Sequence, residues 1–419
     1  VSGAAGTAAG GGHGGAGGAA GAAAAGGHAG ATTGGGGQGG NVTCSPGLAD
    51  CDGLPGNGCE ASLADDKTCG SCARDCTIDG ASCSQGLCGT VQLFSAADMP
   101  FGTDNGGARS WAFDSSSATA YWVGFNNYSV RGYPFDGSPA QLIWQPTTAA
   151  TAGTESIAVT GGYVYWSVGA IGGAQPTVFQ KAIGDASSVV PTEAFYPVAR
   201  AAFLRVQGSS FYWTTGDYQD PTAPAAGYVY TRAIAAAATD PGTAIVTVDQ
   251  GNFADFKAFQ PTSDALYWIA DMGTVPYELR TTPLGGGTPT AVPTISGAAD
   301  TTVAAYGGTP PTLYAVGATI YFTRVLSTSS LNGIYRYASG DSAPAQLVSA
   351  DGVTSFVVDG SDIFYLRQNA NAVFKAPLAG GAGVAIANAS GYKLVGQDAS
   401  YLYLLQSGSG SSTLAKIIK

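Results

Sequence analysis

Val164-Tyr165-Trp166, Phe211-Tyr212-Trp213 and Leu266-Tyr267-Trp268 repeat one apolar-aromatic triplet, and the pattern returns as Ala120-Tyr121-Trp122, Ile320-Tyr321-Phe322, Ile363-Phe364-Tyr365 and Leu402-Tyr403-Leu404. Such residues fit the pleated, half-buried surface of a β-strand, and the Gly, Pro and Asp clusters between copies read as turns. The copies stand roughly forty to fifty residues apart, a period that marks propeller blades or solenoid coils. A shorter apolar strand precedes each copy, as at 156–160 and 355–359. A third strand with one basic residue follows: Arg131, Lys181, Arg232, Arg280, Arg336, Lys375 and Lys416. Most copies then add a fourth strand, for instance at 141–144 and 346–349. Seven units of four short strands predict a mainly β chain whose residues 91–419 form a seven-bladed β-propeller.

The last unit has only three strands, at 392–396, 401–406 and 414–418, whereas residues 91–95 form a strand with no unit of its own. That strand is expected to complete the final blade and close the ring, removing sheet edges that would otherwise template aggregation. The triplets resemble the broad group of propellers with Tyr-Trp strands, including those with Tyr-Trp-Thr-Asp repeats. The resemblance implies the fold. It departs from that group in lacking the Asp of the fourth place and in having seven units, not six. Rings that recur at the same place in every unit are expected to pack between sheets rather than to stack on sugars.

The only histidines, His13 and His28, lie outside the repeats, which excludes Ser-His-Asp and Cys-His catalysis within them. Carboxylate pairs of the glycosidase kind remain open, but Glu155, Glu193 and Glu278 are the only glutamates of the propeller. Its aspartates mostly fall at turns such as Asp136-Gly137 and Asp359-Gly360. Connections from second to third strand vary most in length. They share one face of a propeller, and variable loops on a rigid scaffold are where contacts concentrate. The longest, between Thr214 and Gly227, holds Asp217, Tyr218 and Asp220. Asn126, Asn127 and Tyr128 in the first unit and Asp271, Tyr277 and Glu278 in the fourth belong to the same rim, the expected place for a glycan or protein partner.

All eight cysteines, Cys44, Cys51, Cys59, Cys69, Cys72, Cys76, Cys83 and Cys88, fall between residues 42 and 90. A segment this short has too few large apolar residues for a core, so disulfides are expected to hold it, in an oxidising compartment. Zinc competes through Cys69-x-x-Cys72, but the second half of such a site is missing. Four bridges permit many pairings, and spacing does not choose among them. With Ala49-Asp50-Cys51-Asp52-Gly53, Asn57-Gly58-Cys59-Glu60 and Cys69-Gly70-Ser71-Cys72, the segment resembles a Cys-rich module of secreted and surface proteins of social soil bacteria. The resemblance implies an extracellular protein. Asp50, Asp52, Asn57 and Glu60 offer the hard oxygens calcium takes, although the alternating ligands of a complete calcium loop are missing. No other metal or cofactor is expected. Because no cysteine lies in the blades, reduction is expected to loosen the join to the propeller without melting it.

Residues 1–41 are an uncharged, nearly pure Gly/Ala tract with a three-residue phase. From position 3 to 39, ten of thirteen places on that phase are Gly, among them Gly12, Gly15, Gly18, Gly21, Gly27 and Gly30, against four glycines on a second phase, counted through Gly40, and five on the third. A flexible spacer needs no phase. An extended helix with three residues per turn would carry these glycines as one edge where backbones approach closely, a polyglycine II-like arrangement that suggests self-association. The tract has no proline to favour a free collagen helix.

A net charge of −11 and the absence of any Lys/Arg run argue against nucleic-acid binding. No apolar run is long enough to span a bilayer. The sequence begins at Val1 rather than Met, which fits a mature form after removal of a signal peptide or simply a truncated chain. With only 11% charged residues the surface is prone to assemble. The expectation is a non-enzymatic extracellular structural protein, a subunit of a self-assembling surface fibre or sheath. The alternative is a propeller adhesin or glycan-binding module on a flexible stalk.

Overall fold

The computed structural model describes residues 43–419 apart from 53, 55–56, 73, 96, 100–110, 124–128, 146–151, 171–175, 186–191, 198–200, 216–226, 249–254, 272–277, 294–311, 325–329 and 408–411. Seven sheets follow one another along the chain; five keep their four strands in sequence order, the sixth is extended by a hairpin from the cysteine-rich segment, and the seventh is completed by a strand from before the first blade. Blades 1 to 6 occupy residues 111–144, 152–195, 202–248, 255–291, 313–349 and 353–388, and blade 7 is built from 392–418 plus Val91–Phe94. First strands of successive blades touch, so they surround the axis, and the fourth strands form the outer edge.

The triplet explains how the blades pack. Side chains along a strand alternate faces, so the middle residue points to one neighbouring blade and the outer two to the other. Tyr121 of blade 1 shares a buried cluster with Val164 and Trp166 of blade 2. Tyr165 meets Phe211 and Trp213, Tyr212 meets Leu266 and Trp268, and Tyr267 meets Ile320 and Phe322. Tyr321 meets Ile363 and Tyr365, and Phe364 meets Leu402 and Leu404. Finally Tyr403 of blade 7 meets Ala120 and Trp122 of blade 1, which closes the ring. One three-residue pattern thus supplies all seven interfaces, with rings on both sides in six of them and Phe364 facing Leu402 and Leu404 in the one between blades 6 and 7.

The recurrent basic residue does not occupy one structural place. Opposite the triplet, Lys181 and Arg232 pair with its first residue, Arg336, Lys375 and Lys416 with the second, and Arg131 and Arg280 with the third. The roles differ accordingly. Arg232 donates to the carbonyls of Ala236, Ala237 and Asp240 and lies over the Phe195 ring of blade 2. Lys375 pairs with Asp362 at 3.2 Å and lies over Phe364.

Bulges interrupt the first strands of blades 2, 3, 4, 6 and 7. A bulge leaves a backbone N–H unpaired in its own sheet. The preceding blade supplies a partner: Leu394 N–H donates to Ser355 Oγ at 2.8 Å, and Leu204 N–H to Ser156 Oγ at 2.6 Å. Both serines are buried. Ser355→Ala orphans a buried donor and is expected to cost about 1–3 kcal/mol in a denaturant titration. A change within a few tenths of a kcal/mol would mean the bond contributes nothing.

Asp114, Asp359 and Asp398 sit in first-to-second-strand turns and accept bonds from the residues that follow. Partial burial alone would raise the Asp398 carboxyl, but the Tyr403 hydroxyl at 2.5 Å and the N–H groups of Ser400 and Tyr401 hold it below its ordinary value. A carboxyl lowered in the folded state contributes stability that is complete above about pH 4 and is lost as pH falls through the folded value. Asp398→Asn is therefore expected to lower the urea midpoint at neutral pH and to flatten its decline below about pH 4. An acid limb as steep as in the parent would rule this out.

The predicted closing strand is present. Val91–Phe94 runs antiparallel to Ser412–Ile418, with Phe94 opposite Leu414 and Val91 opposite Lys416. The cysteine-rich segment is paired as Cys44–Cys59, Cys51–Cys72, Cys69–Cys83 and Cys76–Cys88, with no free cysteine among the described residues. It docks on the propeller. Its last hairpin, Cys83–Ser84 with Leu87–Cys88, joins the outer edge of blade 6 and extends that sheet to six strands. Asn388 Nδ2 donates to Ser84 O at 3.3 Å and Arg74 Nη1 to Ile386 O at 3.4 Å across the same junction.

Candidate functional site

The loop-rich face carries the second-to-third connections within blades and the links from each blade to the next. Of the rim residues expected from the sequence, Asn126, Asn127, Tyr128, Asp217, Tyr218, Asp220 and Tyr277 lie outside the described residues. Glu278 opens the third strand of blade 4 as the register partner of Ala270, and Asp271 ends the second strand one step beyond that pair. Asp255, at the start of the first strand, is the register partner of Asp271. Three acidic positions therefore converge at the rim end of blade 4. Asp255 was not legible as a member, because only strand register brings it there.

Across blades 5 to 7, described polar groups of this face bond to one another. Asn332, buried, donates from Nδ2 to Asp351 Oδ1 at 2.7 Å, and Arg367 Nε donates to Asp351 O at 3.2 Å. Ser390 Oγ donates to Asn371 Oδ1 at 3.2 Å, and the Ala389 N–H donates to Asn371 O. Asn371 has φ 50°, a left-handed conformation Asn tolerates better than most residues, and it ends the short 3-10 turn Gln368–Ala370. These bonds hold together the four loops at 330–332, 350–352, 368–371 and 389–391. Gln368 to Ala370 are left as the exposed polar tip of blade 6.

The triplet rings do not reach either face as a stacking platform. Trp122, Trp166, Trp213 and Trp268 are buried, as are Tyr121, Tyr165, Tyr212, Tyr267, Tyr321, Tyr365 and Tyr403. Burial pushes the Tyr133 and Tyr267 hydroxyls up to about 12 and raises Tyr403 further, with Asp398 adding to the effect. These rings are part of the packing between and within the blades.

In the cysteine-rich segment the structure gathers three of the four suggested calcium ligands. Carboxylate oxygens of Asp50, Asp52 and Glu60 lie within 4.8 Å of one another. Their bonds serve the loop: Glu60 Oε1 accepts from the Cys51 and Asp52 N–H groups, Asp52 Oδ1 from the Leu54 N–H and Asp52 Oδ2 from Asn57 Nδ2. The Leu54 N–H and the Asn57 amide hold the Asp52 carboxyl below its ordinary value. Asn57 contributes its amide nitrogen to this network. The self-assembly glycines Gly12, Gly15, Gly18, Gly21, Gly27 and Gly30 lie outside the described residues.

No protein-family model matches the chain, and no curated protein sequence matches it. Solved structures do. A puromycin hydrolase shares 12% identity at a TM-score of 0.50, covering 75% of this chain and 52% of its own. A prolyl endopeptidase shares 16% at 0.49, covering 72% and 45%. The AfRom2 CNH domain shares 7% at 0.47, covering 79% and 99%. The chain spans about half the length of the two peptidases. At such identities the likeness concerns the propeller fold alone.

Proposed function

We propose that the protein is a non-enzymatic extracellular structural subunit whose Gly/Ala tract packs against copies of itself, with the disulfide module and propeller as the rigid body each copy carries. The observation behind this reading is the three-residue glycine phase, ten of thirteen positions between 3 and 39. Three further features support it. The four disulfides are compatible with an oxidising, extracellular setting. Among the described residues no helix is long and apolar enough to cross a membrane. The module is hydrogen-bonded to blade 6, so a tract entering the module at Cys44 is attached to a rigid body rather than to a swivel.

The alternative, an adhesin binding glycan or protein through the rim, is favoured by the variable second-to-third connections and by the acidic convergence of Asp255, Asp271 and Glu278. The burial of the triplet rings removes the most evident sugar-stacking surface. Electron microscopy of the purified native protein separates the two readings. Regular filaments are expected for the structural subunit, whereas dispersed single particles over a wide concentration range would overturn it.

A further inference from the structure

The segment that fastens the cysteine module to blade 6 is continuous with the strand that closes the ring. Cys88 is the register partner of Ala387 on the outer strand of blade 6. Only Gly89 and Thr90 separate it from Val91, the first residue of the closing strand in blade 7. The Gly89 N–H donates to Ser82 O, which ties this short link back to the module hairpin. After the closing strand, the Ser412 N–H donates to Met99 O, and Phe94 packs edge-on against Tyr133 of blade 1 at 5.1 Å. One stretch thus touches blade 6, completes blade 7 and seals the seam to blade 1.

We infer that the cysteine module is a latch for the propeller: the Cys69–Cys83 and Cys76–Cys88 bridges hold the hairpin on blade 6 and thereby hold the closing strand in blade 7. A strand contributed from the distant end of a chain is the part of a ring with the largest closure entropy, since its loss frees the most chain. Anchoring its first residue beside its docking site reduces the freedom lost on pairing. The two bridges that hold the hairpin are also the shielded ones. Cys69, Cys76 and Cys88 are buried, whereas Cys51 and Cys72 are exposed. The latch is therefore graded. A dithiol such as dithiothreitol first gives two electrons and two protons to Cys51–Cys72, leaving two thiols and the reagent's own cyclic disulfide. Cys76–Cys88 reacts by the same exchange only after the hairpin opens. This inference is independent of the fibre reading.

The test compares Cys76→Ala/Cys88→Ala with Cys51→Ala/Cys72→Ala in the full chain. All six tryptophans lie between residues 111 and 268, so their fluorescence and near-UV dichroism report the blades and not the module. The first variant is expected to melt roughly 5–10 °C below the parent. Amides of Ser412–Ile418 should exchange at least about tenfold faster, while those of Gly227–Ala233 in blade 3 are unchanged. The second variant is expected to match the parent in both readouts. If the first variant does not fold, native protein is reduced in place, thiols are counted by mass, and exchange at 412–418 is expected to rise only after the exposed bridge has gone. Equal melting of the two variants overturns the latch. So does complete reduction of all four bridges with exchange at 412–418 still slow.

Discussion

Trp213→Ala is expected to destabilise the propeller by about 3–5 kcal/mol, the range for emptying a buried aromatic site. Trp144→Ala is expected to cost much less. Trp213 is fully buried between blades 2 and 3, with its ring centroid 5.4 Å from that of Phe195 and 5.6 Å from that of Tyr230. Trp144 lies on the outer strand of blade 1 and is only partly buried beside Phe179. Denaturant midpoints read by the remaining tryptophans decide the matter. A Trp213→Ala cost no greater than that of Trp144→Ala would end the account in which triplet rings join the blades. The same site offers a coupling test. Gly242 has φ +85°, and a Cβ there would stand 2.4 Å from the Trp213 ring. Gly242→Ala is thus opposed by both backbone strain and a clash. In the Trp213→Ala background the ring clash is gone, while the strain and the 3.0 Å approach to Thr231 O remain, so the double variant should cost less than the sum of the two single ones.

The triplets made the fold legible because a residue type repeated at one place in every unit carries both the strand and its two buried faces. The closing strand was legible for a related reason: residues 91–95 read as a strand with no partner, and the last unit lacked one. The basic residues were legible only in content. Their register against the triplet changes between blades, since a long cationic side chain reaches a carbonyl, a carboxylate or a ring from several positions, as Arg232 and Lys375 do. Docking of the module on blade 6 left no trace in the sequence. It rests on a two-residue strand, Leu87–Cys88, and on the single register pair of Cys88 with Ala387, too little for any periodicity. The acidic convergence at blade 4 is likewise a product of register. Asp271 and Glu278 could be assigned to one rim from loop position, but Asp255 precedes the bulge between Phe256 and Ala258, and no pattern in the sequence sets that bulge.

Gly18→Val with Gly21→Val is expected to abolish assembly while leaving the blades folded. In an extended helix with three residues per turn and about 3.1 Å rise, residues 18 and 21 fall on the same edge one turn apart. Two valines there place branched side chains where neighbouring backbones must meet, and an edge of that kind accommodates only hydrogen. The matched control is Gly14→Val with Gly17→Val, which makes the same two Gly-to-Val changes three residues apart on an adjacent phase, with the same added volume and the same β-branched stiffness. Composition, hydropathy and tract length are then equal in the two variants, and only phase differs. Sedimentation and electron microscopy read assembly, and near-UV dichroism of the blade tryptophans reads folding. Assembly lost in the Gly18 and Gly21 pair and retained in the Gly14 and Gly17 pair is the expected result. Equal assembly of both variants, or equal loss in both, would remove the phase as the cause, because a generic low-complexity spacer responds to added bulk without regard to which third of its residues receives it.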